Sequence, residues 1–339
     1  MSKLLELAKS SILSNRRSFP DMVKFSWQEG ASKVETYLFH GCVKVGDRSI
    51  IKSQIKAYEY LKESLGSIYE SIFPRFRLVS EQEDLAVLLL EFLDGRNLED
   101  VCFEMNNLLP FLSIEHPIIQ RKNSMIKKIV GESIRKLCLI FEKTEKNVDR
   151  EKELFFLECF DALEVNLAES NLRDYLPVLQ VLKKKKKIFL KPLIISSSHK
   201  DLTVRNVMVS NAQGEIDIKL VDPRISLPRS SKRYSEGSIV VDMAALEMSL
   251  SRKELELQQL NPAMKIKGIN LVKAESKRMI KEGLFSKELY KLCLVIFYSA
   301  HAACNCVYCS ARERSWLREV MKQKTRDLLN NLSQEVDHA

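Results

Sequence analysis

Residues 198–209 read SHKDLTVRNVMV, and residues 219–224 read KLVDPR. The first stretch sets His199, Asp201 and Asn206 in one short polar run with an apolar tail, and the second puts Asp222 behind an apolar run of its own. Between them NAQGE supplies a turn signal separating VMV from IDIKLV, so the chain should form a β-hairpin that carries Asp222 back toward Asp201 and Asn206. Two carboxylates and an amide gathered in this way provide one group to orient and deprotonate a hydroxyl, and two hard oxygen donors for magnesium. That set suits phosphoryl transfer, where positioning and countercharge supply most of the catalysis. A lone His-x-Asp arises often by accident, and Asp-Pro-Arg often marks only a turn. The order of the residues and the short step from Asp201 to Asn206 make the combination informative.

The chain has 339 residues, about twice a typical single domain, so two domains or two lobes sharing a cleft are expected. With 45% hydrophobic and 29% charged residues and only 10 Gly and 9 Pro, the composition is that of a globular protein and argues against extended disorder. No run approaches the roughly 18 to 20 apolar residues that cross a bilayer, and MSKLLELAKSSILSNRRSF lacks the long apolar core of a secretory signal, so a cytoplasmic protein is expected. Leu4, Leu5, Ala8 and Ile12 fall on one side of a helix over residues 1–20, read as a packed accessory helix in preference to a membrane-binding one.

The net charge of +9 and the run LKKKKKIFL at 182–190 invite a nucleic-acid reading, but the run has no interleaved aromatics and belongs to no binding motif. A solvated loop or helix end is the simpler reading, while a basic cleft would favour anions such as nucleotide phosphates. The eight cysteines are expected to be free thiols, with Cys42, Cys102, Cys138, Cys159 and Cys293 as small core hydrophobes. His301, Cys304, Cys306 and Cys309 have a ligand-rich spacing that invites zinc. On a continuous helix, however, Cys304 and Cys306 point roughly 200° apart and cannot share one ion without a break.

Residues 22–54 read as strand-rich: MVKFSWQ, ETYLFHGCVKV, a GDRS turn, then SIIKSQ. IKAYEYLKESLGSIYESIF has helical periodicity, and RFRLVSEQ and LAVLLLEFL follow as two further strands. From Gly95 onward long helices dominate, broken by Pro110, Pro117 and the hairpin. The expected fold is therefore α+β and bilobal, with a small antiparallel lobe over 1–94 built around one main helix, and a larger helical lobe over 95–339 that holds the catalytic loop and acceptor site.

The loop His199-x-Asp201-x-x-x-x-Asn206, the hairpin and Asp222 together resemble the catalytic loop and metal-binding Asp of protein kinases, with LLLEFLDG where an interlobe hinge belongs. Within kinase-like proteins the chain is most similar to the aminoglycoside phosphotransferase and choline kinase group, because HKDLTVRNVMV and LVDPR take that group's form and IVVDMAALEMSL resembles its following helix. The resemblance covers roughly residues 20 to 320. It implies an ATP-dependent transfer of the γ-phosphate to an acceptor hydroxyl. Asp201 would act as base, and Asn206 and Asp222 would hold Mg2+. Lys52, on the third predicted strand, would hold the α and β phosphates, with Glu59 as its partner in preference to Glu63. Gly30 and Ser32 of QEGASKVE would lie in the phosphate-covering turn, and Glu91 and Leu93 in the nucleotide-facing hinge. Asp242 would be a structural acid holding the catalytic loop, with His199 a scaffold residue.

Lys200 stands where the small-molecule group usually has Gly and protein kinases Arg, and it would meet either an anionic acceptor or a nearby acidic residue. Arg224 would either neutralise Asp222 or help bind phosphate. The favoured acceptor is a small molecule with a hydroxyl, such as a sugar, amino alcohol or nucleoside. A protein or RNA acceptor is the alternative, as is a pseudokinase-type binding module.

Overall fold

A computed structural model describes residues 27–29, 35–38, 41–81, 85–91, 93, 95–212, 215–231, 234, 236–303 and 311–337. The expected N-terminal helix, Gly30, Ser32 and Cys304, Cys306 and Cys309 lie outside the described residues. The first sheet is antiparallel throughout, in the order β1-β2-β3-β5-β4, from β1 (Trp27–Glu29), β2 (Glu35–Leu38), β3 (Gly41–Asp47), β4 (Phe76–Glu81) and β5 (Leu85–Glu91). Strand β5 lies between β3 and β4, and its residues Ala86 to Leu90 are all buried, as its unbroken apolar run requires.

Between β3 and β4 run helix α1 (Arg48–Leu65) and the single turn α2 (Tyr69–Ile72). This corrects the reading of SIIKSQ as a strand. Asp47 ends β3 and caps α1, its carboxylate accepting the Ser49 N–H at 2.8 Å, so GDRS starts a helix and is not a β-turn. From there Ile51, Ile55, Tyr58, Leu61 and Leu65 recur at helical spacing and are buried together. ETYLFHGCVKV, read as one strand, is the β2–β3 hairpin, and the third strand is GCVKVGD.

The second sheet, β6-β7-β8, joins β6 (Gly95–Asn97) to the hairpin of β7 (Val207–Ala212) and β8 (Glu215–Leu220), with Ala212 opposite Glu215 at the expected turn. A Cβ on Gly95 would lie 2.1 Å from the Val209 carbonyl oxygen, so the chain leaving β5 rests directly on the strand that follows Asn206.

The helices are α3 (Leu98–Leu108), α4 (Pro117–Thr144), α5 (Asp149–Glu169), α6 (Leu176–Lys184), α7 (Lys186–Leu190), α8 (Ile239–Leu260), α9 (Lys267–Lys281), α10 (Lys287–Ala303) and α11 (Ala311–Asp337). Helix α10 packs on α5, α8 and α11, and α9 on α4 and α8. Every residue from Ile239 to Leu250 is buried, which places the first three turns of α8 at the centre of this layer. The architecture is the expected α+β, bilobal one. Lys184 to Lys187 are exposed where α6 gives way to α7, so the densest basic run is a solvated helix junction. Cys102, Cys159 and Cys293 are buried free thiols. Among the described residues no helix is long and apolar enough to cross a membrane, and no three His, Cys, Asp or Glu side chains form a metal cluster.

Substituting Gly95→Ala should force β6 away from β7, because backbone atoms cannot yield to the new Cβ. The expected result is a loss of about 2 kcal/mol or more in thermal or urea unfolding, and an unchanged midpoint would show that the close approach is not required.

Candidate active site

The loop between Ser198 and Asn206 is held from beneath by one carboxylate. Asp242, in the first turn of α8, accepts the Ser198 hydroxyl at 3.0 Å, the His199 N–H at 3.0 Å and the Lys200 N–H at 2.8 Å. Burial pushes its pKa up to about 7, against the opposing pull of those donors. The expected role of Asp242 as the structural acid of the loop is thus visible as three hydrogen bonds.

His199 is fully buried and ties the loop to the Asp222 segment. Its Nε2 lies 2.7 Å from the Val221 carbonyl oxygen, and its Nδ1 accepts the Asp201 N–H at 3.3 Å. That pairing requires a neutral ring with the proton on Nε2. Burial lowers the His199 pKa to about 4, in keeping with this tautomer.

Asp201 is brought to the same place as Asn206 and Asp222. The Asn206 amide donates to the Asp201 carbonyl at 2.7 Å, and Val221 N–H donates to the Asn206 carbonyl at 2.9 Å. Burial raises the Asp201 pKa, Arg224 opposes the rise, and the nearby Asp222 charge adds to it. The Arg224 Nε lies 2.7 Å from Asp201 Oδ2, and its backbone N–H donates to the His199 carbonyl at 3.0 Å. Arg224 therefore meets Asp201, where the sequence offered Asp222 or phosphate as its partner.

Asp222 adopts φ +61°, a left-handed conformation that Asp tolerates better than most residues. Its backbone N–H donates to the Tyr58 hydroxyl at 2.9 Å, and its carboxylate is paired with Lys44. Lys44, with 9% of its side chain exposed, is the lysine of the third strand, where the sequence placed Lys52. Lys52 lies in the first turns of α1, paired with Glu81 at 2.7 Å. Glu59 and Glu63 are both exposed on α1. The helical phase turns Tyr58 inward, where it stacks on Phe76 with ring centroids 5.2 Å apart, and the Glu59 side chain outward. Tyr60 reaches Glu236 and accepts the Ser197 hydroxyl at 3.0 Å, so tyrosines, and neither Glu59 nor Glu63, link α1 to the Asp222 and Ser197 segments.

In the hinge the Glu91 carboxylate accepts the Arg75 N–H at 3.1 Å, while Leu93 is half-buried. Lys44 and Tyr58 were missed because the β2–β3 hairpin was read as one strand. The capping signal at Asp47 and the register that follows from it would have exposed both.

The outer side of the loop is held by charge. Arg205, next to Asn206, pairs with Glu99 at the start of α3, and Glu99 also meets Lys253 of α8 at 2.6 Å. Burial pushes the Glu99 carboxyl up, but Lys253 and Arg205 together outweigh this and hold it at about 2.

A small antiparallel sheet with one long helix, joined to a helical region that carries a His-x-Asp loop and a hairpin, defines a bilobal kinase-like fold. Two solved structures share it: a glucosamine kinase (14% identity, TM-score 0.50, over 96% of this chain and 84% of that one) and aminoglycoside phosphotransferase APH(4)-Ia (10% identity, TM-score 0.51, over 94% and 98%). At these identities the likeness is one of fold. No family model and no curated protein matches the sequence.

Glu99 supplies a pH test. Its carboxyl ionises more readily in the folded chain than in the unfolded one, so the stability it confers is present above about pH 4.5 and is lost as pH falls toward 2. Linkage over that span gives about 3 kcal/mol. Glu99→Gln should therefore destabilise the protein most at neutral pH, with the gap to wild type in urea unfolding narrowing below pH 4.5. A gap independent of pH would remove the ionic account.

Proposed function

We propose that the chain is an ATP-dependent phosphotransferase that moves the γ-phosphate of ATP to a hydroxyl of a small-molecule acceptor, in the cleft between the lobes of residues 1–94 and 95–339. The observation that carries this reading is the convergence of Asp201, Asn206, Asp222 and Lys44 from three separate elements on one place beneath the hinge. The fold supports it, since a glucosamine kinase of the same fold has been solved with glucosamine, ADP and inorganic phosphate (11% identity, TM-score 0.50, over 96% of this chain and 82% of that one).

Asp201 is the base. It is 16% exposed, its backbone is fixed by His199 and Asn206, and burial already raises its affinity for a proton. An acceptor hydroxyl at its carboxylate would be oriented for in-line attack and would pass its proton to Asp201 as the new P–O bond forms and the bond from the γ-phosphorus to the β,γ-bridging oxygen breaks, releasing ADP. Arg224, at the same carboxylate, lies where charge on the transferring group can be countered. Lys44 takes the phosphate-holding role assigned to Lys52. Because Lys52 is paired with Glu81 and Glu59 is exposed, neither enters the mechanism.

The donors present fit magnesium. The Asn206 amide nitrogen is engaged by the Asp201 carbonyl, which fixes Oδ1 as the face turned away from it, and Asp222 adds a carboxylate. Bound magnesium supplies neutralising charge to the phosphate oxygens.

Calorimetry with ATP and magnesium, followed by an assay of ATP consumption, tests the assignment. Asp222→Ala should lose the magnesium-dependent part of binding, and Lys44→Ala should weaken ATP by about tenfold or more. Lys52→Ala should change it less than about twofold, as expected for an exposed ion pair. Asp201→Ala should retain nucleotide while turnover falls by about 100-fold or more. Wild-type protein that binds no ATP would overturn the reading.

A further inference from the structure

Lys200 is the residue the mechanism leaves unexplained. It is a non-glycine residue at φ +61°, where a lysine pays for a backbone conformation that glycine adopts freely, and its side chain is completely buried. Its ammonium meets Glu158 of α5, also completely buried, at 2.7 Å. It further donates to the carbonyls of Ile225, at 3.3 Å, and Tyr234. The other Glu158 oxygen accepts the Leu227 N–H at 2.7 Å. One buried ion pair thus grips the chain beyond Asp222 at three points, Ile225, Leu227 and Tyr234.

Two further contacts close the same segment. Asp161, one turn along α5 on the same face, accepts the Ser230 hydroxyl at 2.7 Å and the Ser231 N–H at 2.7 Å. At the far end Gly237 exchanges backbone hydrogen bonds with Ser196, at 2.9 and 3.1 Å, and a Cβ there would lie 2.6 Å from the Ser198 Cβ and 3.2 Å from the Lys200 Cε.

We propose that Lys200 and Glu158 are positioning residues: their buried pair makes residues 225–231, with Tyr234 and Gly237, a preformed wall next to Arg224 and its partner Asp201, so that no acceptor has to order it. The proposal rests on the phosphotransferase reading for the role of Asp201, whereas the fixing of the wall does not depend on it. An ion pair without solvent needs its remaining hydrogen-bonding capacity satisfied, and here backbone groups of that wall provide partners for both charges. The side chain couples the wall to the loop because Lys200 is the immediate neighbour of Asp201.

Hydrogen exchange read by mass spectrometry on the full chain tests this directly. The variants are Lys200→Gly with Glu158→Gln, which removes both charges together and suits the left-handed backbone, Lys200→Arg as the conservative change, and Gly237→Ala, which keeps both charges but crowds Ser198 and Lys200 at the wall's far end. In wild type the amides of 225–231 should be protected. In the double variant and in Gly237→Ala they should exchange about tenfold faster or more, with the β3 and β5 amides unchanged, and Lys200→Arg should restore most of the protection.

Steady-state hydrolysis of magnesium-ATP gives the second readout. In the double variant kcat should fall about tenfold or more while the KM for ATP stays within about twofold, because the nucleotide contacts lie elsewhere. Protection of 225–231 that survives the double substitution would overturn the proposal, as would faster exchange with kcat unchanged. Wild-type protein that neither binds nor hydrolyses ATP would instead overturn the phosphotransferase reading, while the exchange data would still decide whether the pair fixes the wall.

Discussion

The carboxylate of Asp242 is the constraint on which the rest of the site depends. Three consecutive residues of the loop, Ser198, His199 and Lys200, give it donors, and Asp242 itself is set by the buried first turn of α8, where a helix N-terminus favours negative charge. Without it the loop would have to rely on fewer partners to hold Asp201 beside Asn206 and Asp222. Each donor removed would leave charge buried with fewer partners, so the three bonds form or fail together.

From that anchor the site is built outward by side chains that each fix two things. Neutral His199 reads the Val221 carbonyl with one nitrogen and the Asp201 N–H with the other, so the distance between the two acidic segments is set by the width of one imidazole. Asn206 closes the loop on Asp201 through its amide nitrogen, which leaves its oxygen the opposite face. Asp222 is held through its backbone by Tyr58 and through its carboxylate by Lys44, one contact from α1 and one from β3. The left-handed turn at Asp222 is therefore defined by both regions of the chain at once. Any shift of α1 relative to the helical layer would register at this residue first.

The parts of this arrangement legible in the sequence are those whose spacing is local. His199, Asp201 and Asn206 lie in one loop, and the turn at NAQGE marks the hairpin that returns Asp222, so short-range rules suffice. The long helices and the bilobal layout follow from periodicity in the same way. Lys44 was not legible by such rules, because its assignment depends on strand register across the β2–β3 hairpin, and ETYLFHGCVKV reads as one strand. Glu59 failed for a related reason. A helix begun at Asp47 puts Tyr58 and not Glu59 on the inner face, and a phase error of one residue rotates a side chain by about 100°. The Lys200–Glu158 pair spans 42 residues of chain with both charges in the core, a combination that composition argues against and only tertiary packing reveals.

Net charge proves a poor guide to the site. The excess of nine positive charges is drawn partly from Lys184 to Lys187 at a helix junction, where solvent screens them. At the catalytic loop the charges are instead matched one to one: Lys44 with Asp222, Arg224 with Asp201, Lys200 with Glu158. The first two pairs are partly open to solvent, while the third is sealed from it. The same ionic chemistry therefore serves two ends, set by burial alone. The partly open pairs keep access to solvent, and the buried pair is committed to fixed geometry.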